Sequence, residues 1–86
     1  MELTPRALVE LCRRAGLYAT PHLNDRLYLH YKGIACIPPG ALDAYTGLRV
    51  LWLEGNGLSR IENLGALAQL RTLYLHENSI EVVEGL

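Results

Sequence analysis

The chain has 86 residues, half of them apolar and a fifth charged, with a formal net charge of −1. That length allows one small domain with a limited core, and that balance belongs to a folded chain rather than a disordered one. A near-neutral surface gives no electrostatic reason to expect nucleic acid or acidic lipid as partner, and no apolar run approaches the roughly 20 residues that span a bilayer.

In chain order, Thr4 is a good helix N-cap and Pro5 suits the first helical position. Leu8, Leu11, Cys12 and Ala15 follow at i, i+3, i+4 and i+7, one apolar stripe, and Gly16 is the stop. Glu10 can pair with Arg13 or Arg14 on the solvated side. Glu2, Arg6, Glu10, Arg13 and Arg14 break every apolar stretch here, so a secretory signal is not expected. Thr20-Pro21 reads as an extended connector, because the residue before proline avoids the helical region.

From Leu48 the sequence repeats. Leu48-Arg49-Val50-Leu51-Trp52-Leu53-Glu54-Gly55-Asn56-Gly57-Leu58 recurs 22 positions later as Leu70-Arg71-Thr72-Leu73-Tyr74-Leu75-His76-Glu77-Asn78-Ser79-Ile80. Both copies fit L-x-x-L-x-L-x-x-N-x-(L/I), and Ile61, Glu62 and Leu64 match Val83, Glu84 and Leu86. A degenerate copy precedes them: Leu27-Tyr28-Leu29, Gly33, Ile34 and Ile37 align with Leu51-Trp52-Leu53, Gly57, Leu58 and Ile61 at an offset of 24. The two extra residues fall in Pro38-Pro39-Gly40-Ala41, a turn-forming stretch. Lys32 stands where the later copies carry Asn56 and Asn78, so the first coil must close its turn by other means.

This pattern specifies an α/β leucine-rich-repeat solenoid, a right-handed superhelix with parallel strands on its concave face and an N-terminal capping helix. Residues 1–24 form the cap helix and connector. Residues 25–86 form the repeats, divided into a degenerate first coil (25–47), a second (48–69) and a truncated third (70–86). Leu27/Leu29, Leu51/Leu53 and Leu73/Leu75 enter the core, because strand side chains alternate. Each Asn amide bonds backbone groups of the turn that follows its strand. The open apolar edge of Leu73, Leu75, Ile80, Val83 and Leu86 marks the chain as the front end of a longer solenoid.

Enzymatic signatures are missing: there is no G-x-S-x-G and no phosphate-binding G-x-x-x-x-G-K-(S/T). Gly55-Asn56-Gly57 belongs to the repeat's turn. His22, His30 and His76 lack ligand spacing, and Cys12 and Cys36 lack a C-x-x-C arrangement, so neither metal nor cofactor is expected. The two thiols are expected to be free and buried or half-buried, Cys36 beside Ile34 and Ile37, in a reducing compartment. What remains is a surface. Stacking the coils aligns Tyr28, Trp52 and Tyr74 in one outward row, His30, Glu54 and His76 in the next, and Arg26, Val50 and Thr72 on the other side, beside Asp25, Arg49 and Arg71. Aromatics and arginines are the side chains that most often anchor protein interfaces. The candidate protein-binding residues are therefore Tyr28, Trp52, Tyr74, His30, Glu54, His76, Arg49 and Arg71. No small molecule is expected there.

The Ile61-Glu62-Asn63-Leu64 and Val83-Glu84-Gly85-Leu86 segments resemble the phosphatase-regulator subclass of leucine-rich repeats. A closer likeness runs through Leu17-Tyr18-Ala19-Thr20-Pro21-His22-Leu23-Asn24-Asp25-Arg26-Leu27-Tyr28-Leu29-His30-Tyr31-Lys32-Gly33 and Tyr45-Thr46-Gly47-Leu48-Arg49-Val50-Leu51-Trp52-Leu53. These segments resemble the start of the leucine-rich-repeat domain of the dynein axonemal assembly factor 1 family. Pro38-Pro39-Gly40-Ala41 departs from that family, which carries a shorter Ile-Glu-Asn-Leu turn there. The resemblance implies a cytoplasmic factor for preassembly of axonemal dynein arms, associated with cilia or flagella. It also implies protein partners: axonemal dynein chains, other assembly factors and chaperones. The alternatives are a phosphatase-regulatory or other ciliary or centrosomal adaptor, and an RNA-binding adaptor of the spliceosomal A-prime type, which would need a basic surface.

Overall fold

The computed structural model describes residues 1–84; Leu86, expected at a core position, lies outside them. Helix α1 spans Pro5–Arg14. Thr4 is extended, and its hydroxyl accepts a hydrogen bond from the Ala7 N–H at 3.1 Å, satisfying one of the free donors of the first turn. Leu3 and Leu8, one on each side of that cap, are both buried, the positions at which apolar residues fix the chain's angle of approach to a helix. At the other end Gly16 has φ +75°. The Leu17 N–H bonds the Cys12 carbonyl (2.8 Å) and the Gly16 N–H that of Arg13 (3.2 Å), a left-handed turn suited to glycine. Leu8 and Cys12 are buried and Leu11 half-buried, whereas Ala15, expected on the same stripe, is exposed at the C-cap. Glu10 pairs with Arg14 at 3.3 Å on the exposed side. Leu8 and Cys12 join Leu27, Leu29 and Ile34 in one buried cluster, so α1 lies against the first repeat.

The connector is extended at Thr20 but then makes a short 3-10 turn over Pro21–Leu23. Three short strands follow at the repeat spacing: β1 (Arg26–Tyr28), β2 (Val50–Trp52) and β4 (Thr72–Tyr74). They form one parallel sheet in the order β1-β2-β4, with Leu27 beside Leu51 and Leu51 beside Leu73. A second parallel pair joins β3 (Arg60–Ile61) to β5 (Val82–Val83), with Ile61 beside Val83. Both sheets turn residues into the same core. Leu27, Leu29, Leu51, Leu53, Leu58 and Ile61 have no exposed surface, and each such side chain contributes about 1.5–3 kcal/mol by leaving water. Leu73, Leu75 and Ile80 pack against this core but are only half-buried, and Val83 is 61% exposed. These third-repeat residues have neighbours on one side only among the described residues.

Cys36 departs from expectation: it is exposed, while Cys12 is buried. Ile34 and Ile37 both turn inward, and Cys36 occupies the position of Arg60, the outward residue of β3. Adjacency in sequence to core residues misled, because neighbouring extended residues face opposite ways. The stretch from Pro38 to Tyr45 is a run of tight turns, with the Ala41 N–H on the Pro38 carbonyl (3.2 Å) and the Tyr45 N–H on that of Leu42 (3.0 Å).

The asparagine turns explain how the repeats hold together. The Asn56 side-chain oxygen accepts from the Lys32 (2.9 Å) and Ile34 (3.1 Å) N–H groups, and its amide nitrogen donates to the Leu29 and Leu53 carbonyls, each at 2.9 Å. Asn78 does the same one repeat later, accepting from Leu58 (3.1 Å) and donating to Leu53 (2.8 Å) and Leu75 (3.0 Å). Each asparagine therefore serves the turn of the repeat before it as well as its own strand. Lys32 can stand in the first repeat because Asn56, not residue 32, closes that turn.

Candidate binding face

The outward residues of the main sheet come into register as the repeat spacing requires: Tyr28 beside Trp52 and Trp52 beside Tyr74, and Arg26, Val50 and Thr72 in a second row. The aromatic rings rest on one another. Tyr28 and Trp52 have centroids 4.8 Å apart, tilted by 35°, and Trp52 and Tyr74 are stacked at 5.4 Å with 17° between planes. These distances lie within the range of favourable offset stacking. Mutual contact leaves Tyr28 and Trp52 half-buried and Tyr74 38% exposed, so the row is less open than alternation alone implies.

The neighbouring row is more closed still. His76 is exposed, His30 is half-buried, and the Glu54 side chain is only 13% exposed, with one carboxylate oxygen 3.9 Å from His76 Nε2. Tyr31 explains part of this enclosure. Its hydroxyl donates to Glu77 two repeats away, and its ring lies where a Cβ on Gly55 would stand. The Tyr31 hydroxyl is pushed above its ordinary value mainly by that bond to Glu77. His30 meets Tyr31 edge-on at 6.0 Å and Tyr28 edge-on at 6.3 Å. At the leading rim of the strands, Arg49 and Arg71 are exposed and adjacent, the Arg71 N–H bonding the Arg49 carbonyl at 2.9 Å. Asp25, next in that row, pairs instead with Arg26 at 3.3 Å. Between α1 and the start of this face runs an open groove of ≈ 470 Å³, lined by Leu11, Ala15, Tyr28, His30 and Lys32 among others.

Beneath the connector sits a buried polar cluster at positions where the next repeat carries leucine, Asn24 aligning with Leu48 and Tyr45 with Leu67. The Asn24 side chain accepts from the Tyr18 N–H and donates to the Tyr18 carbonyl, both at 2.9 Å, and also reaches Cys12 Sγ at 3.7 Å. Tyr45, nearly fully buried, brings its hydroxyl to 3.9 Å from that sulfur. Burial pushes up both the Cys12 thiol and the Tyr45 hydroxyl. A buried, protonated thiol is a poor nucleophile, so this cluster is structural. Among the described residues no three of His, Cys, Asp or Glu converge as metal ligands, and no helix is long and apolar enough to cross a membrane.

Comparison with known proteins agrees with this geometry. Residues 46–85 match the family model described as leucine-rich repeats in two copies. The chain is 54% identical over 57 residues to the dynein axonemal assembly factor 1 homolog of Drosophila melanogaster, covering 66% of this chain and 4% of that protein. It is 46% identical over 66 residues to the leucine-rich repeat-containing protein ODA7 of Chlamydomonas reinhardtii, covering 77% of this chain and 15% of that one. It is 53% identical over 51 residues to dynein axonemal assembly factor 1 of Rattus norvegicus, covering 59% of this chain and 8% of that one. The chain thus spans a small part of the length of these curated relatives. No solved structure matches it significantly. Residues 46–85 are thus similar to leucine-rich repeats, and over most of its length the chain is similar to the dynein axonemal assembly factor 1 proteins.

Proposed function

We propose that this chain is a protein-interaction module for the preassembly of axonemal dynein arms, acting without catalysis in the cytoplasm of cells that build cilia or flagella. Its relatives' names supply the process. The observation that carries the binding reading is the aromatic row: Tyr28, Trp52 and Tyr74 stacked on one sheet face with Tyr74 open to solvent. On this reading residues 1–24 cap the first repeat, residues 25–86 form three successive coils (25–47, 48–69 and 70–86), and the coils wind as a right-handed solenoid with the row on its concave side. Tyr28, Trp52, Tyr74, His30, Glu54, His76, Arg49 and Arg71 then face the partner, which is an axonemal dynein chain, another assembly factor or a chaperone.

The test is affinity capture from ciliated cells with the 86-residue chain and its Trp52→Ala variant. Axonemal dynein heavy or intermediate chains are expected on the unaltered chain. Truncating a central aromatic anchor should weaken their retention by about 2 kcal/mol, roughly thirtyfold, with circular dichroism unchanged. Equal retention by both chains removes the aromatic row from the interface. Capture of a phosphatase catalytic subunit without dynein chains overturns the assembly reading.

A further inference from the structure

The rim of the same face carries a charge pattern that selects a particular kind of partner. Arg49 and Arg71 are exposed neighbours on adjacent repeats, and neither makes an ion pair among the described residues. The acid that could neutralise the row, Asp25, is engaged by Arg26. Like charges side by side on neighbouring repeats repel, and each guanidinium fork can hold a carboxylate by two parallel hydrogen bonds. Five residues further along the second repeat the sign reverses. Glu54, largely enclosed and facing His76, lies at the trailing end of the face, and the exposed Glu77, one position on in the third repeat, takes the Tyr31 hydroxyl. At about 3.3 Å per residue the two rims are roughly 17 Å apart, with Trp52 and Tyr74 between them.

We propose, building on the binding face argued above, that this face takes a charge-polarised segment of a partner protein. That segment places carboxylates on Arg49 and Arg71 and an apolar or aromatic side chain on Trp52 and Tyr74. Its acidic residues lie at one end only, because an acidic run continuing along the strands would meet Glu54 and Glu77. The polarity therefore fixes the direction in which the segment lies. A nucleic-acid strand fits less well, since successive phosphates would be carried onto the same two carboxylates.

Selection of a phage-displayed random-peptide library on the 86-residue chain tests this directly. The enriched peptides should carry Asp or Glu to one side of an aromatic or large aliphatic residue. A synthetic peptide of that consensus should bind the Arg49→Glu/Arg71→Glu double variant at least about tenfold more weakly, with the gap narrowing as salt is raised. Arg49→Lys/Arg71→Lys should restore part of the binding. A consensus without acidic residues, or equal binding to the double variant, overturns the charge-polarised partner. If Trp52→Ala still abolishes binding in that case, the binding face itself stands. No enriched peptide, or one indifferent to both substitutions, removes both. Tight binding of an oligouridylate RNA that is lost in the double variant would assign the arginines to nucleic acid instead.

Discussion

Asn56→Ala isolates the interaction that ties the first repeat to the second. The side chain makes four hydrogen bonds to backbone at 2.9–3.1 Å: from Lys32 and Ile34, and to Leu29 and Leu53. These losses are unequal. Lys32 is exposed, so water can take over its N–H, and the Leu53 carbonyl keeps its bond from Asn78. The Ile34 N–H and the Leu29 carbonyl belong to fully buried residues, and each such orphaned group costs about 1–3 kcal/mol. A loss of about 3 kcal/mol is expected, against a total of roughly 4–13 kcal/mol for a chain this size. Asn78→Ala should cost about half as much, because the Leu53 carbonyl retains Asn56 and, of the other two groups it serves, only the Leu58 N–H belongs to a fully buried residue, Leu75 being half-buried. Lys32→Asn should change stability by less than about 1 kcal/mol, since α1 and not a repeat turn packs against the first repeat and the Leu29 carbonyl already has Asn56. Urea titration followed by the fluorescence of Trp52, the one tryptophan, measures all three. Asn78→Ala costing as much as Asn56→Ala, or Lys32→Asn stabilising by more than about 2 kcal/mol, would refute the directional account of these amides.

Leu53→Ala should destabilise by about 2–5 kcal/mol and Leu75→Ala by about 1–2 kcal/mol, because Leu53 is fully enclosed and Leu75 half-buried; equal urea midpoints would contradict that difference in burial. Iodoacetamide on the native chain should add one label, at Cys36, and a second at Cys12 only after denaturation, as mass spectrometry of the digested chain would show. Alkaline titration should lower stability. The folded chain keeps the Cys12 and Tyr45 protons to higher pH than the unfolded chain does, so their contribution is complete below the ordinary thiol value of about 9 and declines as pH rises through the raised values. Cys12→Ala should remove the earlier part of that decline, and an unchanged alkaline profile in this variant would exclude the thiol as its source.

The leucine spacing carried the strands, their parallel order and their register, because a period of two combined with a 22-residue repeat leaves one way to stack Leu51 on Leu73 and Trp52 on Tyr74. The helix was equally legible, since Thr4, Pro5 and Gly16 are local signals needing no tertiary context. What escaped was chemistry more than place. Asn24 aligns with Leu48 and Tyr45 with Leu67, so the period marks both as inward, but the polar contacts that a non-leucine side chain makes there, with Tyr18 and Cys12, do not follow from it. Leu3 lies outside the helix it anchors. Glu54 sits at an outward position by alternation, yet it is largely enclosed, because a residue from the preceding turn arches across the repeat. No single-strand pattern contains that information.

That arching residue joins the scaffold to the face. Tyr31, Gly55 and Glu77 occupy one repeat position, just before Lys32, Asn56 and Asn78, and all three have positive φ: 51°, 69° and 60°. The turn demands the left-handed conformation whatever the side chain, at a cost of roughly 1–2 kcal/mol where the residue is not glycine. Glycine stands at 55 for a second reason. The Tyr31 ring crosses there to reach Glu77, and a methyl group would collide with it. From Tyr31 the edge-on contacts run to His30 and Tyr28, and from Tyr28 the stacked rings run to Trp52 and Tyr74. A binding surface of freely rotating aromatics would lose rotamer entropy on meeting a partner; one whose rings already lean on each other loses less. The affinity ascribed to Trp52 therefore depends on the rings at either side of it, and through Tyr31 on a turn conformation that no partner touches.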